Sequence, residues 1–208
     1  MVYYSTRLEK RKACLKKFNK LKGYIMNTNK KTSTIVMTAL MMALITISIM
    51  FIKIPIPFTQ GYVHPGDAMI FMAVLILGWK YGAIAAAVGG AMGDILGGFA
   101  AWAPWTFGIK GIMAIILGIM VSYALKKKWI MIGKMPLGAI IGMITAGVFM
   151  VVGYYFAEGI MYGNWATPML GVPWNIGQFV GGMIIAWVLT VALLKTPAKK
   201  FFAYKFEV

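Results

Sequence analysis

Seven polar side chains in an otherwise apolar sequence have the chemistry to hold a small ligand: His64, Asp67, Lys110, Glu158, Asn164, Asn175 and Gln178. All fall in the loops, or at the span ends, of one side of a chain patterned to cross a membrane, where ionisable groups cost several kcal/mol unless paired or wet. Phe58, Tyr62, Trp102, Trp105, Tyr154, Tyr155, Tyr162, Trp165 and Trp174 lie at the same level. Convergent aromatic and polar groups in a concave apolar site suit a heteroaromatic ligand, because ring faces stack while Lys110 and the amides orient polar edges. Trp and Tyr also form interfacial belts, and Trp79, Tyr81, Tyr123 and Trp129 mark the opposite interface; the excess at the polar end favours a pocket. His64, taken alone, reads as a loop hydrogen-bonder before a ligand contact.

One more carboxylate, Asp94, lies deep in the stretch from Gly82 to Gly111. It is either a structural group, bonded to backbone or capping a neighbouring helix, or a ligand group. The far end of that stretch, Trp102 to Lys110, is the better ligand-facing part. A proton relay would want further buried carboxylates or histidines near Asp94, and the expected spans contain none. No His/Cys/Asp/Glu cluster has metal-ligand spacing, so no metal and no cofactor are expected. The nucleotide loop GxxxxGK[ST] is absent, as are GxSxG and HExxH, and an enzymatic reading has nothing to stand on.

These side chains need elements to position them. The 208 residues are 61% hydrophobic with five acidic side chains, and their mean hydropathy is +0.78. A soluble domain of this length cannot hide so much apolar surface, so the chain is an integral membrane protein. Its formal charge of +16 sits in the first thirty residues, in Lys126 to Lys134 and near the C-terminus. That is positive-inside patterning and not a nucleic-acid footprint. Cys14, the single cysteine, carries no disulfide, metal or redox signal. The N-terminus is basic for too long to be a cleavable signal.

The expected fold is all-α, with six transmembrane helices and both termini cytoplasmic. Residues 1–31 form a basic cytoplasmic tail, either an amphipathic helix on the anionic leaflet or a disordered segment preceding a start at Met26. Residues 32–195 form the membrane domain, and 196–208 a second basic cytoplasmic tail. The spans read Thr32 to Ile52, about Gly66 to Lys80, Gly82 to Ala101, Phe107 to Leu125, Pro136 to about Ala157, and Trp174 to Leu194. Between the first two, KIPIPFTQGYVHPGD is a structured loop; Glu158 to Pro173 is a second outer loop. Ala85, Gly89, Gly93, Gly97 and Ala101 recur every four residues and leave one helix face nearly bare backbone, the geometry of tight helix packing. Ala39 with Ala43, Gly138 with Gly142 and Ala146, and Gly177 with Gly181 repeat the pattern.

The AxxxA pair Ala39/Ala43, GYVHPGD at Gly61 to Asp67, the GAxxGAxGDxxxG-like spacing through Gly89 to Gly97, and APWTFGIKG at Ala103 to Gly111 together resemble the substrate-binding S components of energy-coupling factor (ECF) transporters, in the riboflavin-transporter-like branch. The resemblance covers about Lys31 to Leu194. It implies a six-helix subunit in the bacterial plasma membrane that captures a water-soluble vitamin at its outer face. The implied partners are a transmembrane coupling subunit (EcfT-type), met by the Ala39/Ala43 face, and two cytoplasmic ATPases. It also implies a ligand site among the first outer loop and the outer halves of the later helices, which joins Tyr62, His64, Trp102, Trp105, Lys110, Glu158, Asn164, Trp165, Asn175 and Gln178 as substrate-binding residues. Glu158, Asn164, Asn175 and Gln178 match no single vitamin's recognition set. A compact pocket edged by Trp and Tyr favours hydroxymethylpyrimidine or a pyridoxine-type vitamin over riboflavin. The alternative is a stand-alone ion-coupled transporter of a small heteroaromatic solute.

Overall fold

The computed structural model describes residues 31–57, 59, 61–132 and 135–206. The expected basic N-terminal tail, Cys14 and Phe58 lie outside the described residues. Residues 38–208 form one compact unit, and residues 31–37, the start of the first helix, belong to a separate one.

Five helices among the described residues are long and apolar enough to cross a membrane: α1 (Lys31–Phe51), α2 (Gly66–Leu96), α3 (Ala103–Lys126), α4 (Leu137–Tyr162) and α5 (Thr167–Leu194). Two short hairpins join them, β1 (Ile54–Pro55) with β2 (Tyr62–Val63) and β3 (Met131–Ile132) with β4 (Met135–Pro136), and a 3-10 turn at Pro197–Phe201 follows α5. In the first hairpin Ile54 faces Val63 and Pro55 faces Tyr62.

The expected second and third spans meet without a loop, inside α2. Gly78 adopts φ 79°, ψ 173°, a backbone conformation that only glycine reaches easily. Its two arms, 66–77 and 79–96, double back on each other: a Cβ at Gly82 would stand 2.7 Å from the Val74 Cα, whereas residues eight apart in a straight helix are about 12 Å apart. The first arm begins at Gly66 as the sequence predicts and stops at the break instead of running to Lys80. It extends only about 18 Å, less than the roughly 30 Å hydrocarbon core. Of residues 66–75 only Met69 escapes full burial, and a helix apolar on every side is one buried on every side.

The four-residue row on the second arm packs as its spacing predicts. A Cβ at Gly89 would stand 2.9 Å from the Met42 carbonyl oxygen of α1, and one at Gly93 2.8 Å from Ile49 Cβ. Ile45 and Ile49 are fully buried there, and Thr46 donates to the Gly89 carbonyl at 3.0 Å. The neighbouring row faces α3, since a Cβ at Gly90 would meet Thr106 at 3.0 Å.

Two other expectations change. The outer loop from Glu158 to Pro173 shrinks to a corner at 163–166, so α4 gains a turn at its end and α5 nearly two at its start. Gly163 ends α4 in the left-handed region (φ 67°), Asn164 Oδ1 accepts from the Thr167 amide at 2.9 Å, and Pro168 occupies the first turn of α5, where its missing N–H costs nothing. Pro173 lies inside α5. The C-terminal segment, expected as a tail, folds back on the body. Phe202, Tyr204 and Phe206 are buried, the Ala203 amide donates to the Ile76 carbonyl at 2.8 Å, and the Tyr204 hydroxyl donates to the Gly118 carbonyl at 3.0 Å.

Candidate ligand-binding site

The first hairpin and helices α2 to α5 contribute to one pocket. The first hairpin and its flank supply Ile56, Gly61, Tyr62 and His64; α2 supplies Asp94; Trp102 and Thr106 come from the start of α3; Tyr154 and Glu158 from α4; Asn175 and Gln178 from α5. The free space among them is about 20 Å³, room for about one water.

Asp94 is 4% exposed, and its Oδ1 accepts from the Tyr62 hydroxyl at 2.6 Å. Its Oδ2 is buried and has no hydrogen-bond partner among the described residues, and the same holds for Oε2 of Glu158, a residue 3% exposed. Thr106 and Tyr154 share an O–H···O contact of 3.0 Å across α3 and α4. Tyr62 also packs on Phe99, which meets Trp102 edge-on, and Trp102 lies against Tyr162.

Beneath the pocket lies a second polar layer. Lys110 and Asp67, both fully buried, form an ion pair, and the Lys110 ammonium also contacts the Met150 sulfur. Gln178 donates from Nε2 to Asp67 Oδ2 at 3.0 Å and accepts through Oε1 from the His64 amide at 2.9 Å. The Gly66 amide donates to His64 Nδ1 at 3.1 Å. Burial, and then the positive charge of Lys110, push the His64 imidazole down to about 4, so it is neutral at physiological pH. Burial first, and then the charge of Asp94, raise the Tyr62 phenol, which stays protonated and able to donate.

Of the ten residues that the sequence nominates, Tyr62, His64, Trp102, Glu158, Asn175 and Gln178 line the pocket. Lys110 sits one layer below, consumed by Asp67. Trp105 is half-buried against the core and outside the lining. Asn164 accepts from the first amide of α5 at the exposed corner, and the half-exposed Trp165 covers Gly159, tilts against Tyr155 and meets Phe156 edge-on. The lining adds Asp94, Thr106, Tyr154, Ile56 and Gly61. The signal for Asp94 was its row: it lies four residues after Gly90, the glycine against which Thr106 packs. The expectation that the spans hold no carboxylates near Asp94 is overturned, because Asp67 lies in the first turn of α2 and Glu158 inside α4.

Comparison with known proteins agrees with this architecture. The chain is 34% identical over 152 residues to an uncharacterized protein in the gap 3′ region of Pyrococcus woesei, covering 73% of this chain and 95% of that one. It is 25% identical over 169 residues to the thiamine precursor transporter HmpT of Lactococcus lactis subsp. cremoris, covering 81% and 92%. The fold matches a solved S component of a bacterial ECF transporter with a TM-score of 0.59 at 20% identity, over 79% of this chain and 97% of that one. The profile of the ECF-type riboflavin transporter S component spans residues 29–195, and the chain belongs to that family of substrate-binding membrane transport subunits.

Proposed function

We propose that this chain captures a small, water-soluble heteroaromatic vitamin or vitamin precursor at the outer face of the plasma membrane for ATP-driven import by partner subunits. One observation carries the reading: the hairpin and helices α2 to α5 converge on one pocket walled by aromatic rings and floored by buried polar groups, the composition expected of a small-ligand site. The thiamine-precursor transport named for HmpT supports hydroxymethylpyrimidine as the ligand, with a pyridoxine-like ring next. The narrow free space requires Tyr62 to part from Asp94, and the hairpin to shift outward, before a ring can enter.

The topology that fits is six membrane segments with cytoplasmic termini, the two arms of α2 counting separately and the lysines at 126–128, 195, 199 and 200 lying inside. Ala39 and Ala43 are exposed on α1, and the adjacent Leu40 and Leu44 are exposed as well; this face suits an EcfT-type coupling subunit, with two ATPases bound to it. The competing reading, an ion-coupled transporter working alone, draws on the buried carboxylates Asp67, Asp94 and Glu158, but Asp67 is already neutralised by Lys110.

Reconstitution separates the two. The chain alone in liposomes under a proton or sodium gradient takes up no hydroxymethylpyrimidine, while the assembly with coupling subunit, ATPases and ATP does. Robust uptake by the chain alone overturns the proposal.

A further inference from the structure

We propose that Asp94 and Glu158 select the ligand by charge: the pocket accepts a neutral or cationic nitrogen heteroaromatic with hydrogen-bond donors at two separate edges, and rejects its phosphorylated or carboxylated derivatives. The inference rests on the function proposed above and sharpens it.

Asp94 Oδ2 and Glu158 Oε2 come from different helices, belong to residues buried beyond nine-tenths, and accept no hydrogen bond from the described residues. An ionised carboxylate accepts hydrogen bonds and donates none, and a buried polar atom left unpaired carries a desolvation penalty that native structures rarely tolerate without a reason. Two such atoms on one pocket mark two places where a ligand donor belongs.

Among the described residues no cation near the pocket is free to meet an anion. Lys110 is bound to Asp67. Lys53, the other nearby cation, donates to the Gly97 carbonyl at 2.6 Å and lies over the rings of Tyr62 and Phe99. His64 accepts at Nδ1 from the Gly66 amide, so that nitrogen carries no proton. A phosphate or carboxylate on the ligand would therefore bring its charge into a water-poor site that holds two carboxyl groups and no free cation among the described residues, so its lost hydration goes uncompensated. An aminopyrimidine alcohol offers an amino group at one edge and a hydroxyl at another, and leaves the Asn175 amide to serve a ring nitrogen.

Tryptophan-fluorescence titration of the purified full chain with hydroxymethylpyrimidine and with its monophosphate ester tests this. The alcohol binds saturably, and the ester binds at least about 100-fold more weakly. The near-isosteric changes Asp94→Asn and Glu158→Gln each weaken the alcohol by about 10- to 100-fold, the value of a hydrogen bond to a charged group, and narrow the alcohol-to-ester ratio. Packing damage alone would leave that ratio unchanged. Equal affinity for the two compounds, an unaltered ratio in both variants, or no binding of the alcohol overturns charge selection. If the complete assembly also imports no heteroaromatic vitamin, the function reading falls with it; if import persists, only the selectivity inference is lost.

Discussion

Gly181 and Gly182 are neighbours on α5 with opposite surroundings. A Cβ at Gly182 would stand 2.9 Å from Asp67 Cβ, while one at Gly181, or at Gly177 a turn earlier, would meet nothing within 4 Å. The same contrast separates the row at Gly89 and Gly93, filled by α1, from the open face of α5. Small residues four apart permit a close approach, yet the sequence does not say whether the approaching backbone belongs to the same chain. The filled rows hold the body together and set the walls of the pocket. Among the described residues the Gly177/Gly181 face is open and Ala39 and Ala43 are exposed.

Substitutions can break this distinction. Gly93→Leu drives a side chain into Ile49 and should cost about 3 kcal/mol or more, read as a large fall in thermal unfolding temperature in detergent; the matched Gly181→Leu should change stability by less than about 0.5 kcal/mol. Equal effects would erase the difference between filled and open rows. Ala43→Trp, or the same change at Ala39, should abolish import by the full assembly with ligand affinity within about twofold; a large affinity loss would move that row from partner face to pocket. Gly182→Ala presses on Asp67 and should cost about 1–3 kcal/mol, with weaker ligand binding as the Asp67–Gln178 contact shifts, whereas Gly181→Ala leaves both unchanged.

His64 sharpens the comparison, because it stands between the polar pocket and the apolar groove beside Gly177 and Gly181. Its folded value of about 4 lies below the ordinary 6.5. Between those values the unfolded chain takes up a proton that the folded chain refuses, so this contribution is intact above pH 6.5 and stability falls as pH drops toward 4, by at most about 1.4 kcal/mol per pH unit from this group. His64→Gln should flatten that slope in pH-dependent unfolding. The smallest effects belong to the pocket rim: Asn175→Ala should weaken binding about tenfold, and Trp105→Ala, outside the lining, less.

Much of this was legible because membrane residence leaves few solutions. Backbone groups must be satisfied within each helix, so apolar length predicted the spans and basic clusters ordered them. The errors came from glycine and proline, whose meaning depends on context. Gly78 fits the apolar pattern of a helix yet reverses it, while the Pro and Gly residues of 158–173 have the composition of a loop and mostly lie within helices. That second error hid Glu158 inside α4. Six pocket residues were found because scarce polar groups in an apolar chain have few reasons to be there. Depth along its own helix sets Asp94 apart from the outer polar cluster, whereas the hairpin carries Tyr62 down to meet it. Asn164 and Trp165 share the composition of ligand groups but serve the corner between α4 and α5, and only the path of the backbone reveals that.

The reversal at Gly78 also bears on how the chain is made. Its first arm is too short to enter a bilayer as a span of its own, so the two arms must insert together as a hairpin, with the longer arm carrying the shorter. The carbonyl of Ile76, near the end of that first arm, takes its partner from the amide of Ala203, which follows the last span in the chain. A ribosome therefore delivers the cap for an early helix only after all five described spans have been made. Shortening the chain before Ala203 should spare every span and still release a protein whose second helix frays, a defect visible as protease sensitivity in newly made chains.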